Sequence, residues 1–260
     1  VKSWRNLPEA ELIAPLTHNA KAMEQEMISR AASQPPVRHL RRQVEIAEEI
    51  QEIQSLAEAR TAVQGCRRCS LCEHATQAVF GEGPEQADVM FVGEQPGDQE
   101  DLAGTPFIGP AGQVLDDVIE KVGIDRRKVY VTNAVKHFKF EPRGKRRIHQ
   151  RPDGGEVQAC KFWLGLEIGF VRPKVIVALG ATAAQSLLGK ASVTISQMRG
   201  QPIQVPDGPT LFITNHPSYL LRIPDAEGRV RERAKFEADL VLVRQMIEAL
   251  ENSAPPSGGA

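Results

Sequence analysis

Three of the four cysteines fall within seven residues, at Cys66, Cys69 and Cys72, and the fourth, Cys160, lies far along the chain. A C-x2-C pair such as Cys66 and Cys69 brings two thiolates to one metal or cluster from a single tight turn. Completing four ligands takes two more soft donors. Cys160 is the one distant cysteine. The other donor is Cys72, which extends the run to a C-x2-C-x2-C cluster pattern, or a histidine such as His137 directly after a strand. Spacing alone favours Cys72 and leaves zinc open as the metal. In a chain with no signal-peptide pattern, such cysteines point to a metal site in a reducing compartment rather than to a disulfide framework.

Two histidine motifs carry the rest of the chemistry. "GKRRIHQRP" (144–152) ends a basic run: the 16 residues from Lys136 to Arg151 hold seven Lys or Arg and one acidic residue, Glu141, in a chain of formal charge −1. Average composition predicts about two cations there. A solvated loop is the plain explanation. The sharper one has Lys145, Arg146 and Arg147 neutralising phosphates while His149 acts between them. "NHPSYLLR" (215–222) sets His216 beside Asn215 and Ser218, directly after a strand and before a proline that stiffens the turn. "GEQPGDQEDLAGTPFIGPAG" (93–112) packs glycines and prolines around Glu94, Gln95, Asp98 and Asp101. It lacks the G-x-G-x-x-G or G-K-[ST] of a phosphate cradle. Its glycines let backbone approach a flat ligand, with Phe107 as a stacking face or a core residue.

These residues must be positioned by a folded domain. At 260 residues the chain accommodates one domain of about 180 to 200 residues plus an appendage. With 41% hydrophobic and 25% charged residues, its composition is that of a soluble globular protein, and no apolar run reaches membrane-helix length. Four strands are predicted, "ADVMFVG" (87–93), "KVYVTNAV" (128–135), "KVIVALG" (174–180) and "TLFITN" (210–215). Helices are predicted between and after them. One carries Val114, Leu115, Val118, Ile119 and Val122; one carries Phe162, Leu166 and Ile168; one begins near Ala181; and one carries Phe236, Leu240, Val243 and Ile247. Continuous apolar strands separated by helices indicate a parallel sheet covered on both faces. Ligands of such sheets bind at the carboxyl ends of the strands, where "GEQPGDQED", "TNAVKHFKF", "GATAA" and "NHPSYLLR" fall.

Residues 1–63 read as a helical extension, with Leu40, Val44, Ala47, Ile50 and Ala57 at near-helical spacing. Residues 64–250 form the α/β domain. The Gly-, Pro- and Ser-rich tail 251–260 is expected to be disordered. The chain opens on Val1 rather than methionine, as a fragment would.

Taken together the motifs resemble the uracil-DNA glycosylase superfamily, in particular its iron-sulfur branch. The matching stretches run in one order: "CRRC" (66–69), "VFGEG" (79–83), "GEQPGDQEDLAGTPFIGPAG" (93–112), "YVTNAVK" (130–136), "VIVALGATAAQSLLG" (175–189) and "HPSYLLR" (216–222). "VKHFKF" followed by "GKRRIH" is similar to the X-type members, which carry an inserted basic loop ending in histidine. Conventional members have a cysteine in place of His137 and lack the loop. "WRNLPEAELIAPL" resembles the end of a domain often fused ahead of X-type glycosylases, so residues 1–31 are expected to be an incomplete remnant.

The resemblance implies a three-layer α/β/α fold and a structural four-iron, four-sulfur cluster held by Cys66, Cys69, His137 and Cys160, with Cys72 spare. It implies cleavage of the N-glycosidic bond of deoxyuridine in DNA, single-stranded by preference, with free uracil as product. Phe107 stacks on the flipped base and Asn133 reads its polar edge. His216, near Ser218, stabilises the leaving uracil, and Glu94, Gln95 and Asp98 border the sugar. The His149 imidazole bonds to C1′, giving a stable protein–DNA adduct. Arg147 holds the loop and the adjacent phosphate, and Lys145 and Arg146 supply backbone affinity. A monomer in the bacterial cytoplasm, associated with the nucleoid, is expected. Two other readings remain: a conventional turnover glycosylase, and a cluster-bearing nucleic-acid-binding protein without catalysis.

Overall fold

The computed structural model of the chain describes residues 53–189, 192–206 and 208–253. The expectations for residues 1–52 and for the end of the tail lie outside them. From Gln54 onward the chain forms one compact unit. Its first helix, α1 (Leu56–Ala62), is capped by the Ser55 hydroxyl, which accepts the Glu58 N–H. This helix buries Leu56 and Ala59, whereas Ala57 is exposed, so the apolar stripe drawn from the sequence has the wrong phase here.

All four predicted strands form: β1 (Val89–Gly93), β2 (Val129–Asn133), β5 (Val175–Leu179) and β7 (Thr210–Thr214). They run parallel in the order β2-β1-β5-β7, and the short β6 (Pro202–Gln204), absent from the sequence reading, adds antiparallel to β7. β1, β2 and β5 are buried along their whole length, as a sheet covered on both faces requires. Alternation divides their side chains. Val89, Phe91, Val129, Val131, Val175, Val177 and Phe212 join one core with Leu115, Val118 and Ile119 of α3 (Pro110–Lys121) and Phe236, Leu240 and Val243 of the last helix, α8 (Ala226–Ser253). Met90, Tyr130 and Ile176 point the other way, toward the layer that holds α4 (Gly154–Val171) and α5 (Ala181–Leu188). The expected three layers are present. α8 continues through Ser253, into the segment assigned to the tail.

The helix α4 differs from its sequence reading. Its buried face is Glu156, Cys160, Trp163, Leu164, Glu167 and Val171, while Phe162, Leu166 and Ile168 are only partly covered. Two buried glutamates interrupt the apolar pattern, so periodicity selected the wrong stripe. The basic insertion is not a loop either. Residues Phe140–Arg143 (β3) and Arg146–His149 (β4) make an antiparallel hairpin with a two-residue turn. Gly144 opens that turn at φ +61°, the conformation a primed hairpin turn demands.

Candidate active site

The strand order places β1 between β2 and β5, so the chain leaves β1 to one side and returns on the other. At such a switch point the carboxyl ends of neighbouring strands open a crevice. Here it is a cavity of about 430 Å³ lined by, among others, Gln95, Asp98, Phe107, Asn133, His149, His216 and Ser218. A cavity of about 490 Å³ opens at the opposite edge of the sheet, against Asp88, Val89, Lys128 and Val129, and contains none of the predicted site residues.

The end of the crevice at Phe107 and Asn133 is built by close approach. Gly93 ends β1, and a Cβ there would stand 2.3 Å from Asn133 Oδ1 and 2.7 Å from Phe107 Cζ. The missing side chain is what lets the amide and the ring converge. Phe107 adopts φ +58°, left-handed backbone that a non-glycine residue rarely takes, and a Cβ on Gly112 would lie 1.8 Å from its carbonyl oxygen. Strain at this residue turns the ring into the cavity, where it stacks at 29° on the His216 ring with centroids 6.3 Å apart. Asn133 is buried at the end of β2, and its side-chain amide makes no hydrogen bond to any described residue. It is free for a ligand.

His216 caps α7 (Pro217–Arg222), a helix not foreseen from the sequence. Its Nδ1 accepts the Ser218 N–H at 3.2 Å and lies 2.8 Å from Ser218 Oγ. Acceptance at Nδ1 leaves the proton of the neutral ring on Nε2. Burial, then Arg222 and His149, push the His216 pKa down to about 4, so the ring is neutral at physiological pH. It is a neutral hydrogen-bond donor rather than a cation.

Along β4 the side chains alternate, which puts Arg147 and His149 on one face of the hairpin. Arg147 is fully engaged within the protein. Its guanidinium donates to Asp98 Oδ1, the Asp98 carbonyl, buried Asp101 and Thr76, and it lies over the rings of Phe138 and Phe140 at 5.4 and 5.1 Å. It ties the insertion to Asp98, Asp101 and Thr76. Asp98 is likewise committed to Arg147. The Gln95 amide is also occupied: it donates to the carbonyls of Lys139 and Gln150 and accepts the Lys139 N–H, clamping both roots of the hairpin. It therefore both lines the cavity and fastens the hairpin.

His149 Nε2 then lies 3.5 Å from Glu94 Oε1. Burial holds the His149 pKa below the usual histidine value, with Glu94 pulling it up and Arg222 pushing it down. A neutral imidazole carries a lone pair, which a nucleophile needs. Lys145 and Arg146 stand exposed with Arg143 at the hairpin tip, away from the cavity. Two more cations of the basic run are spent internally, Lys139 on Asp153 and Glu156, and Lys136 on Glu167.

The Lys136–Glu167 pair is fully buried and escaped the sequence reading, because nothing in either residue's neighbours distinguishes it from a solvated charge. Lys136 Nζ donates to Glu167, to Thr132 Oγ1 and to the Asn133 carbonyl, while Glu167 also accepts from Thr132, Tyr130 and the Gly81 N–H. An ion pair without water persists only when its remaining donors and acceptors are satisfied, as they are here. It anchors the end of β2 that carries Asn133.

The cysteines gather on the far side of that anchor. Cys66 Sγ accepts the Trp163 Nε1–H at 3.1 Å, and Cys160 Sγ accepts the Lys136 N–H at 3.2 Å. Burial drives the Cys160 thiol up to about 12, and Cys66 and Cys69 are near enough for their charges to add to the rise. Cys72 Sγ instead donates to the Cys69 carbonyl. Buried His137 leaves its Nδ1 without a partner. Among the described residues no three His, Cys, Asp or Glu side chains form a site for a single metal ion.

A family model described as the uracil DNA glycosylase superfamily matches residues 80–241. The chain is 40% identical over 175 residues to the type-4 uracil-DNA glycosylase of Thermotoga maritima, covering 67% of this chain and 85% of the relative. It is 35% identical over 190 residues to that of Pyrobaculum aerophilum, with 69% and 88% covered. Against that of Sulfurisphaera tokodaii it is 33% identical over 195 residues, with 72% and 86% covered.

Proposed function

The chain belongs to the uracil-DNA glycosylase superfamily, and from that premise we propose that it excises uracil from DNA and is captured on the product through His149. The observation that carries this reading is the position of His149, whose neutral imidazole reaches the cavity of Phe107, Asn133 and His216 beside Glu94.

A base inside a stacked duplex is out of reach, so the uridine is flipped or offered by single-stranded DNA, which avoids an unpairing cost of a few kcal/mol. Phe107 stacks on the uracil and the Asn133 amide pairs with its polar edge. Cytosine presents donor and acceptor exchanged, and each buried group left unsatisfied costs about 1 to 3 kcal/mol. As the C1′–N1 bond breaks, its electron pair leaves with the uracil. The His216 Nε2–H stabilises that anion, and Glu94 stabilises the cationic sugar. In place of water, the lone pair of a His149 nitrogen forms the bond to C1′, and the imidazolium proton passes to Glu94 or to solvent. The exposed hairpin tip, with Lys145 and Arg146, meets the DNA backbone.

Cys66, Cys69, His137 and Cys160 suit a four-iron, four-sulfur cluster. Each ligand of such a cluster binds a different iron, so its donors need not meet at one ion, and an orphaned buried Nδ1 on His137 is a donor in want of an acceptor. Cys72, turned onto the Cys69 carbonyl, is the spare thiol. The cluster would brace the segments behind Asn133 and take no part in bond cleavage. No helix among the described residues is long and apolar enough to cross a membrane. Action as a monomer would suit a cavity whose lining residues come from one chain.

A second reading, multiple turnover with water as nucleophile, is favoured by the type-4 designation that the three relatives share. Denaturing electrophoresis after incubation with uracil-containing single-stranded DNA separates the two. The expected result is a shifted band that His149→Ala abolishes, with the variant releasing uracil repeatedly. Wild-type protein that releases uracil without any shifted band would establish turnover instead.

A further inference from the structure

Glu94 has two carboxylate oxygens, and the protein treats them differently. Oε1 faces His149, whereas Oε2 accepts a short hydrogen bond from the Thr182 hydroxyl. Thr182 lies in the first turn of α5, directly after β5, and is buried. That strand neighbours β1, which ends at Gly93 just before Glu94. Two adjacent strand ends therefore bring hydroxyl and carboxylate together. A hydroxyl has one proton, and here it is committed to Glu94. Its oxygen in turn accepts from Arg151 Nε at 3.3 Å, and the same guanidinium reaches Gln185 Oε1 at 3.3 Å and stands 4.0 Å from Glu94 Oε2. Arg151 follows β4 by two residues, so the hairpin that carries His149 is fastened through Thr182 to the carboxylate that His149 faces.

From this geometry we infer that Thr182 is a positioning residue for Glu94: its hydroxyl occupies Oε2 and so presents Oε1 to the sugar and to His149. The inference rests on the glycosylase reading of the cavity but not on capture by His149. With Oε2 unoccupied, the carboxylate is free to turn toward Arg151, and the transition-state cation loses its partner while DNA binding is unaffected. Thr182 touches neither base nor sugar.

Thr182→Val keeps shape and burial and deletes the hydroxyl; Thr182→Ser restores it. Single-turnover uracil release over a range of protein concentration gives the maximal rate and the half-saturating concentration separately. The expected result for Thr182→Val is a maximal rate about ten- to hundredfold lower, the loss associated with a hydrogen bond to a charged group, at unchanged half-saturation. Thr182→Ser recovers the rate to within about twofold. A Thr182→Val protein with the wild-type rate overturns the inference, as does a rate defect that serine fails to repair in a protein with an unchanged thermal midpoint. Absence of a DNA adduct in the wild type would overturn capture by His149 and leave this comparison intact, because uracil release is measured in both.

Discussion

His137 is the residue at which spacing and structure part most sharply. Spacing alone favoured Cys72 as a ligand, since a third thiol at the same interval extends a familiar pattern. The fold instead bonds Cys72 Sγ to the Cys69 carbonyl and buries His137 with an unpartnered Nδ1. A buried polar atom without a partner costs about 1 to 3 kcal/mol, which a ligand at that nitrogen would remove. His137→Ala is therefore expected to lose the visible absorbance of an iron-sulfur cluster, while Cys72→Ala keeps it; the opposite pattern would make Cys72 the ligand. The residues proposed to meet the substrate were legible because they lie at strand ends: Glu94, Asn133 and His216 each come at the close of an apolar run. Thr182 was not, because its role depends on the adjacency of β1 and β5, which no local pattern encodes. Gln95 and Asp98 were found as site residues, yet hydrogen bonds to the hairpin decide what they do.

At the scale of elements, the four parallel strands were readable from their continuous apolar character, and β6 was not, since one half-buried residue between two exposed ones carries no such signal. The face of α4 was misread because Glu156 and Glu167 are buried by partners distant in sequence, Lys139 and Lys136. The hairpin shows how an insertion can be held against the cavity. Both roots are tied by one amide, Gln95, and its middle by Arg147 to Asp98 and Asp101. Gln95→Ala removes the three bonds at the roots and leaves Phe107, Asn133 and His216 in place. Its expected effect is a lower yield of adduct per uracil released, by at least about fivefold if even one of the lost bonds contributes near 1 kcal/mol, together with faster amide exchange in β3 and β4. Unchanged exchange and yield would mean that Arg147 and Arg151 hold the hairpin without Gln95.

For the molecule as a whole, the neutral histidines link function to acid stability. The His216 pKa near 4 lies below the ordinary value of about 6.5. Between those values the unfolded chain binds a proton that the folded chain refuses, so acidification favours unfolding. The contribution of His216 is complete above about pH 6.5 and declines toward pH 4, by up to about 3 kcal/mol, and His149 acts in the same direction. Thermal midpoints at pH 7 and pH 5 test this: the fall should be smaller in His216→Asn than in the wild type, and an equal fall would place the acid sensitivity elsewhere. The inward commitment of Lys136, Lys139 and Arg147 has a consequence of another kind. A near-neutral protein that commits three of the seven cations of its densest basic run to its own carboxylates is expected to have weak long-range attraction for nucleic acid. Its binding to DNA is therefore expected to weaken only mildly as salt rises, and a steep salt dependence would show that the exposed Arg143, Lys145 and Arg146 dominate the encounter.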